Sequence, residues 1–211
     1  MARVSGETPT SQGAPKAETA YNYKMDIVDR LNDGGVGLLP TDTIYGLSCF
    51  AFDGKAVERV YDIKGRDRKI PVIVLISDIS DLKSFRIALD TDTEKLLSEN
   101  RPGKISFILP IEKGFEYLTR GSQGLAFRLP DDDKLRSLIR KTGPLVSTSA
   151  NPSGGKPATN AKEARGYFGN KLDFYQDAGE LISLPSTLVD LTGKFAVVIR
   201  QGETPFMVRN I

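Results

Sequence analysis

The sequence of 211 residues contains no histidine, and its one cysteine is Cys49. Without histidine, every catalytic triad or dyad and every zinc motif built on an imidazole is excluded. A single cysteine excludes an intrachain disulfide and a cysteine-rich metal site. Long apolar runs are missing too. The strongest, over 72–76, is far too short to cross a bilayer. Residues 1–20 hold no apolar stretch of the kind a secretory signal needs. These absences point to a reducing, cytoplasmic setting with no membrane partner. An excess of one charge is lacking as well: 29 Lys and Arg against 27 Asp and Glu leave a net charge of +2. That is too mild to announce a nucleic-acid binder. Chemistry here has to run on carboxylates, hydroxyls, amides, lysine and arginine.

What is present is an ordinary globular mixture, 39% hydrophobic and 27% charged. Residues 1–18 are rich in Gly, Pro, Ser and Thr and read as a disordered N-terminal tail, with 19–211 forming one domain. The spacing of Tyr21, Met25, Val28 and Leu31 predicts a helix over 20–33, stopped by Gly34-Gly35. Further helices are expected over 54–64 behind Asp53, over 79–86, 91–100 and 132–142, and from a capping box at Asn160–Glu163 to Phe168. Strands are expected over 36–39, 45–51, 72–76, 105–109, 125–129, 144–148, 172–175, 187–191 and 195–199. The interleaving predicts an α/β or α+β fold with a mixed sheet, antiparallel towards the C-terminus.

Neither common phosphate loop, G-x-x-x-x-G-K-[ST] or G-x-G-x-x-G, occurs. Four polar clusters stand at expected strand or helix ends instead. Pro40-Thr41-Asp42-Thr43 sits where sheets hold ligands, although Asp42 capping its own backbone in a turn accounts for the pattern as well. Lys64, Arg66, Arg68 and Lys69 suit an anion, and equally suit the C-terminal dipole of a helix. The run from Ser147 to Lys156 sends hydroxyls and an amide into paired glycines, either a phosphate nest or a polar surface loop. Arg128, Ser186 and Arg200 form a dispersed fourth group, each weak alone.

Taken in order, PTDTIYGL (40–47), KGR (64–66), RPG (101–103), FRLP (127–130), STSANPSGG (147–155), STLVDLTG (186–193) and IRQG (199–202) resemble the YrdC-like threonylcarbamoyl-AMP synthase family. The resemblance runs from about Tyr23 to Gly202 and fits the short, single-domain form. It implies a twisted mixed sheet flanked by helices around a large basic cleft. The reaction it implies condenses L-threonine, bicarbonate or CO2, and ATP with Mg2+ into L-threonylcarbamoyl-adenylate and pyrophosphate, making the protein a nucleotidyltransferase. Downstream transfer proteins then modify tRNA, and direct RNA contact is a further implied partner. By position in the motifs, Lys64, Arg66, Ser149, Asn151 and Arg200 would bind ATP, Lys64 and Arg66 acting as the catalytic pair. Thr43, Arg128, Ser147 and Ser186 would bind threonine, and no residue is assigned to a dedicated metal site. Four positions depart from the family pattern: Lys104 replaces a proline, Ser106 a threonine, Leu75 stands near a common histidine, and Gly124 stands where a threonine is common.

Two other readings use the same residues. A YciO-like paralogue would keep the fold without the synthase reaction, but that branch lacks an intact K-x-R or S-x-N pair, and both are present here. An RNA-binding module would show salt-dependent RNA binding indifferent to ATP and threonine.

Overall fold

The computed structural model describes residues 27–207. The tail expected over 1–18 and the start of the helix expected over 20–33 lie outside them. The described part of that helix, α1, covers 27–32, and Gly34 follows it at φ +81°. Eleven residues, Gly54–Lys64, form α2. The Asp53 side chain accepts from the N–H groups of Lys55 and Ala56 at one end, and Gly65 closes the other in the left-handed conformation. Thr91–Glu99 form α3, Glu116–Thr119 α4, Asp133–Thr142 α5 and Ala161–Phe168 α6.

Two local expectations need correction, one short helix was not expected, and one strand lies far from its neighbours in the chain. The stretch expected as a helix near 79–86 is a 3-10 helix, Ile79–Phe85. The one-turn α4 has no side-chain cap, so its sequence carries no start signal. The box at α6 is shifted by a residue: Asn160 accepts from Glu163 N, but the Glu163 carboxylate takes the Thr159 N–H instead of that of Asn160. The antiparallel pairing expected towards the C-terminus is present between the last two strands, and the strand before them lies at the opposite edge of the sheet.

Among the described residues nine strands make one sheet: β1 Gly37–Leu39, β2 Gly46–Phe50, β3 Ile73–Leu75, β4 Ile105–Pro110, β5 Gly124–Arg128, β6 Leu145–Ser149, β7 Phe174–Tyr175, β8 Thr187–Asp190 and β9 Val197–Arg200. Their order is β7-β1-β2-β6-β3-β5-β4-β8-β9. The pairs β1–β7, β3–β5 and β4–β8 are parallel and the others antiparallel, so the sheet is mixed throughout.

The central strands are buried on both faces, which explains the β-branched run at β3. Val74 and Val146 belong to a large apolar cluster with Val57, Tyr61, Leu82, Phe85 and Leu118. Their chain neighbours Leu75 and Leu145, paired with each other across β3 and β6, belong to a second cluster with Leu31 of α1 and Leu135 and Ile139 of α5. Alternation along each strand thus splits the core into two layers. Arg128 is in register with Leu75, Ser147 with Ile73, and Gly46 with Ser149. All of them lie on the face that α1 and α5 cover.

The connection from β7 to β8 shapes that face. Seven strand spacings separate the two, roughly 34 Å at about 4.8 Å per step. Residues 176–186 reach at most roughly 40 Å, so the crossing has little slack; it forms neither helix nor strand and bends at Gly179, φ +80°. On the way the Tyr45 hydroxyl accepts from Ala178 N at 2.8 Å and donates to Gly179 O at 2.8 Å, and Leu181 N donates to Thr159 O at 2.8 Å. The segment delivers Pro185 and Ser186 to the same cleft as Thr43 and Arg128.

Candidate active site

A cleft of about 160 Å3 opens between the 40–46 loop, β3, β5, β6, the 185–186 segment and the end of β9. Its wall includes Thr43, Arg66, Arg128, Ser147, Ser149, Ser186 and Arg200, seven of the nine residues assigned by resemblance. The other two, Lys64 and Asn151, are buried behind it. Gly46 keeps the floor open, since a Cβ there would fall 2.5 Å from Ser147 Oγ.

Lys64 ends α2 and is 4% exposed. Its ammonium donates to the carbonyl oxygens of Ser149 and Asn151 and to Asn151 Oδ1 at 3.0 Å. The Asn151 amide nitrogen donates in turn to Pro152 O and Gly155 O, each at 2.8 Å, and Ser153 N donates to Lys64 O at 2.8 Å. The 147–155 run is therefore a loop wound around a lysine rather than a free surface loop. Among the described residues no carboxylate is a partner of Lys64, and burial together with the neighbouring Arg66 lowers its pKa to about 7.

Arg66 projects to the cleft from just past Gly65. Its Nη2 donates to Pro71 O at 2.8 Å and its Nη1 to Thr148 Oγ1 at 3.4 Å. Arg68 of the same cationic run turns away and pairs with Glu58 and Asp62. Arg200 donates to Ser186 O from Nε at 3.2 Å and Nη2 at 2.8 Å, and burial holds it below the usual arginine range. Ser186 Oγ lies 2.8 Å from Ser106 Oγ, so the serine that replaces a threonine at 106 still supplies the hydroxyl. Lys104 pairs with Glu203 at 3.4 Å, outside the cleft, whereas Leu75 lines it.

The 40–46 loop corrects one expectation. Asp42 does not cap its own backbone. Its Oδ1 accepts from Arg128 Nη1 at 2.8 Å and its Oδ2 from Asp131 N at 3.0 Å. Thr41 organises the turn, with Oγ1 accepting from Thr43 N at 3.1 Å and donating to Ile44 O at 2.8 Å. Burial lowers the pKa of Arg128, and nearby Arg200 lowers it further against the opposing pull of Asp42. Thr41, Asp42 and Leu75 are visible in the sequence, but the motifs assign them no part in the site. The alternation of hydroxyl, acid and hydroxyl at 41–43 was the visible signal, but its partner Arg128 is far along the chain.

Gly202 sets the geometry of the far wall. Its N–H donates to Thr187 Oγ1 at 2.9 Å, and a Cβ would fall 2.0 Å from Pro185 O and 2.5 Å from Ser186 C. Those atoms are backbone and cannot swing aside. Gly202→Ala is expected to cost about 3 kcal/mol and lower the melting temperature by roughly 6–12 °C. Gly193→Ala, with nothing within 4 Å of its Cβ, serves as the control and should melt with the wild type. Equal melting of the two variants would show that the β8–β9 exit is slack.

With the site in place, comparison with known proteins is informative. The family model described as "Telomere recombination", which groups Sua5, YciO and YrdC proteins, matches residues 29–202. The chain belongs to the Sua5/YciO/YrdC family. A relative from Chromohalobacter salexigens named threonylcarbamoyl-AMP synthase is 33% identical over 168 residues, covering 79% of this chain and 91% of that one. Among solved structures, Sua5 of Pyrococcus abyssi in complex with L-threonine superposes with a TM-score of 0.80 at 29% identity, covering 86% of this chain. This chain corresponds to only 54% of that longer protein. The family member YciO of E. coli superposes with a TM-score of 0.78 at 27% identity, covering 86% of this chain and 89% of that one. The mixed, helix-flanked sheet expected from the family resemblance is thus the observed fold. Among the described residues, no helix is long and apolar enough to cross a membrane.

Proposed function

We propose that the protein is an L-threonylcarbamoyl-adenylate synthase, a nucleotidyltransferase acting on L-threonine, bicarbonate or CO2, and ATP. The observation that carries this reading is the charge balance of the cleft. Arg66, Arg128 and Arg200 all line it. The only carboxylate on these three arginines, among the described residues, is Asp42 on Arg128. A cleft with that surplus of guanidinium suits a substrate set carrying a triphosphate and a carboxylate. The names and the bound L-threonine of the relatives support the same choice.

In this reaction the threonine amine captures CO2 as a carbamate and releases a proton to solvent. A carbamate oxygen then attacks the ATP α-phosphorus, forming the new P–O bond as the bond to the pyrophosphate oxygen breaks. The chain's part is positioning and charge neutralisation. Arg66 and Arg200 bear on the phosphates, Arg128 takes the threonine carboxylate, and Thr43, Ser147 and Ser186 line the amino-acid side. Lys64, Asn151 and Ser149 shape the phosphate loop. Mg2+ would arrive as part of the MgATP substrate, bridging phosphate oxygens. The product would pass to proteins that load it onto tRNA.

The test is pyrophosphate release from ATP, with L-threonine and bicarbonate supplied together and each omitted in turn. Release that requires both supports the synthase. Its absence in folded protein would favour a YciO-like paralogue without this activity, or an RNA-binding role, separated by salt-dependent RNA binding that ignores ATP.

A further inference from the structure

The amino-acid side of the cleft carries more information than its lining. Arg128 and Asp42 form an ion pair whose side chains are 5% and 4% exposed. Nη1 of Arg128 is doubly engaged, with Asp42 Oδ1 at 2.8 Å and Thr43 Oγ1 at 3.1 Å. Its Nε is buried with no partner, and its Nη2 makes no hydrogen bond among the described residues. Asp42 itself cannot turn freely, because its other oxygen takes the Asp131 N–H just before α5.

The hydroxyls next to the arginine have a fixed direction. Thr41 Oγ–H is spent on Ile44 O at 2.8 Å. The 3.0 Å contact between Thr41 Oγ1 and Thr43 Oγ1 must then be donated by Thr43. Thr43 Oγ1 already accepts from Arg128. It can accept one more hydrogen bond and can donate none. An oxygen that only accepts, beside a guanidinium with an unused nitrogen, complements an amine and a carboxylate held one carbon apart.

We propose that Asp42 is the positioning residue of this subsite, aiming Arg128 at the α-carboxylate of a free amino acid while Thr41 turns the Thr43 oxygen towards its amine. Neither function needs Asp42 to touch the substrate. With Asp42 gone, Arg128 would face Arg200 without a counter-charge and lose its fixed direction. The inference rests on the synthase reading for the identity of the amino acid, but not for its chemical class.

The test measures L-threonine binding by calorimetry and, separately, the KM for threonine and for ATP. Asp42→Asn is expected to weaken threonine roughly tenfold while shifting the ATP KM by less than about threefold. Asp42→Glu should recover part of the loss. L-threonine methyl ester, which lacks the carboxylate, should bind wild type and Asp42→Asn alike. Should Asp42→Asn fail to fold, Thr41→Val keeps the side-chain shape, frees the Thr43 proton and should also weaken threonine selectively. Unchanged threonine binding in the folded variants, or an equal loss for threonine and ATP, would overturn the proposal. Wild-type protein that binds threonine but releases no pyrophosphate would overturn the synthase reading and leave the subsite standing. Wild type that binds no free amino acid would overturn both.

Discussion

Replacing Arg66 by alanine should lower synthase turnover by roughly 30- to 1000-fold, the cost of losing about 2–4 kcal/mol of charge stabilisation in the transition state. Arg66 is suited to this because no carboxylate among the described residues pairs with it. Its acceptors are the carbonyls of Ile70 and Pro71 and the hydroxyl of Thr148. Only the contact to Pro71 O is short, 2.8 Å, and the other two are 3.4 Å. Removing the side chain should therefore cost no more than about 1 kcal/mol of stability, or roughly 2–4 °C in melting temperature. Arg66→Lys should fall between the wild type and alanine, since an ammonium keeps the charge and loses the fork. Initial rates of pyrophosphate release, read beside thermal melts, check both halves. A folded Arg66→Ala protein with undiminished turnover would remove Arg66 from the phosphate site.

Much of the fold can be read locally. Asp53 and Gly65 bracket α2 with chemistry that acts within a turn, and the run at 72–76 announces a doubly buried strand. What could not be read was set by distant partners. The partition of Val74 and Leu75 between two apolar layers depends on which helices cover each face. The placement of β7 at one edge, with β8 and β9 at the other, follows from a long crossing whose sequence has no strong signal.

The site divides in the same way. Its motifs were visible as separate runs, each of which a turn, a dipole or an edge residue explained equally well. Only the register of the sheet brings Arg128, Ser147 and Gly46 to one face. Asp42 shows the limit most clearly. In sequence an acid between two threonines reads as a turn, and its ion-pair partner lies 86 residues away. Lys64 shows the reverse error. As one of four cations at a helix end it suits the helix dipole, but its ammonium is the buried centre of the 147–155 loop.

That burial makes Lys64 the source of the strongest expected pH effect. Its pKa, lowered to about 7 by burial and by Arg66, leaves a mixture of charged and neutral forms near neutrality. In the unfolded chain the same amine titrates near 10.4, roughly its ordinary value. Between those two values the unfolded chain binds the proton and the folded protein does not. This group therefore makes stability rise with pH across that window, and its destabilising effect is fully present below about pH 7. Burial, the larger cause, persists in the complex, but a triphosphate on Arg66 would cancel the repelling charge and its own negative charge would draw the proton back onto Lys64. ATP binding at pH 8 should accordingly take up on the order of half to one proton per site, and affinity should fall roughly tenfold from pH 7 to pH 9. Lys64→Met should erase the proton uptake. It should also lower turnover at pH 7 by roughly a hundredfold or more, because the carbonyls of Ser149 and Asn151 and the Asn151 amide oxygen lose their common donor and the phosphate loop its shape. Calorimetry in two buffers of different ionisation enthalpy measures the protons directly. Equal uptake by wild type and Lys64→Met would mean that another group titrates on binding and that Lys64 keeps its charge without the nucleotide.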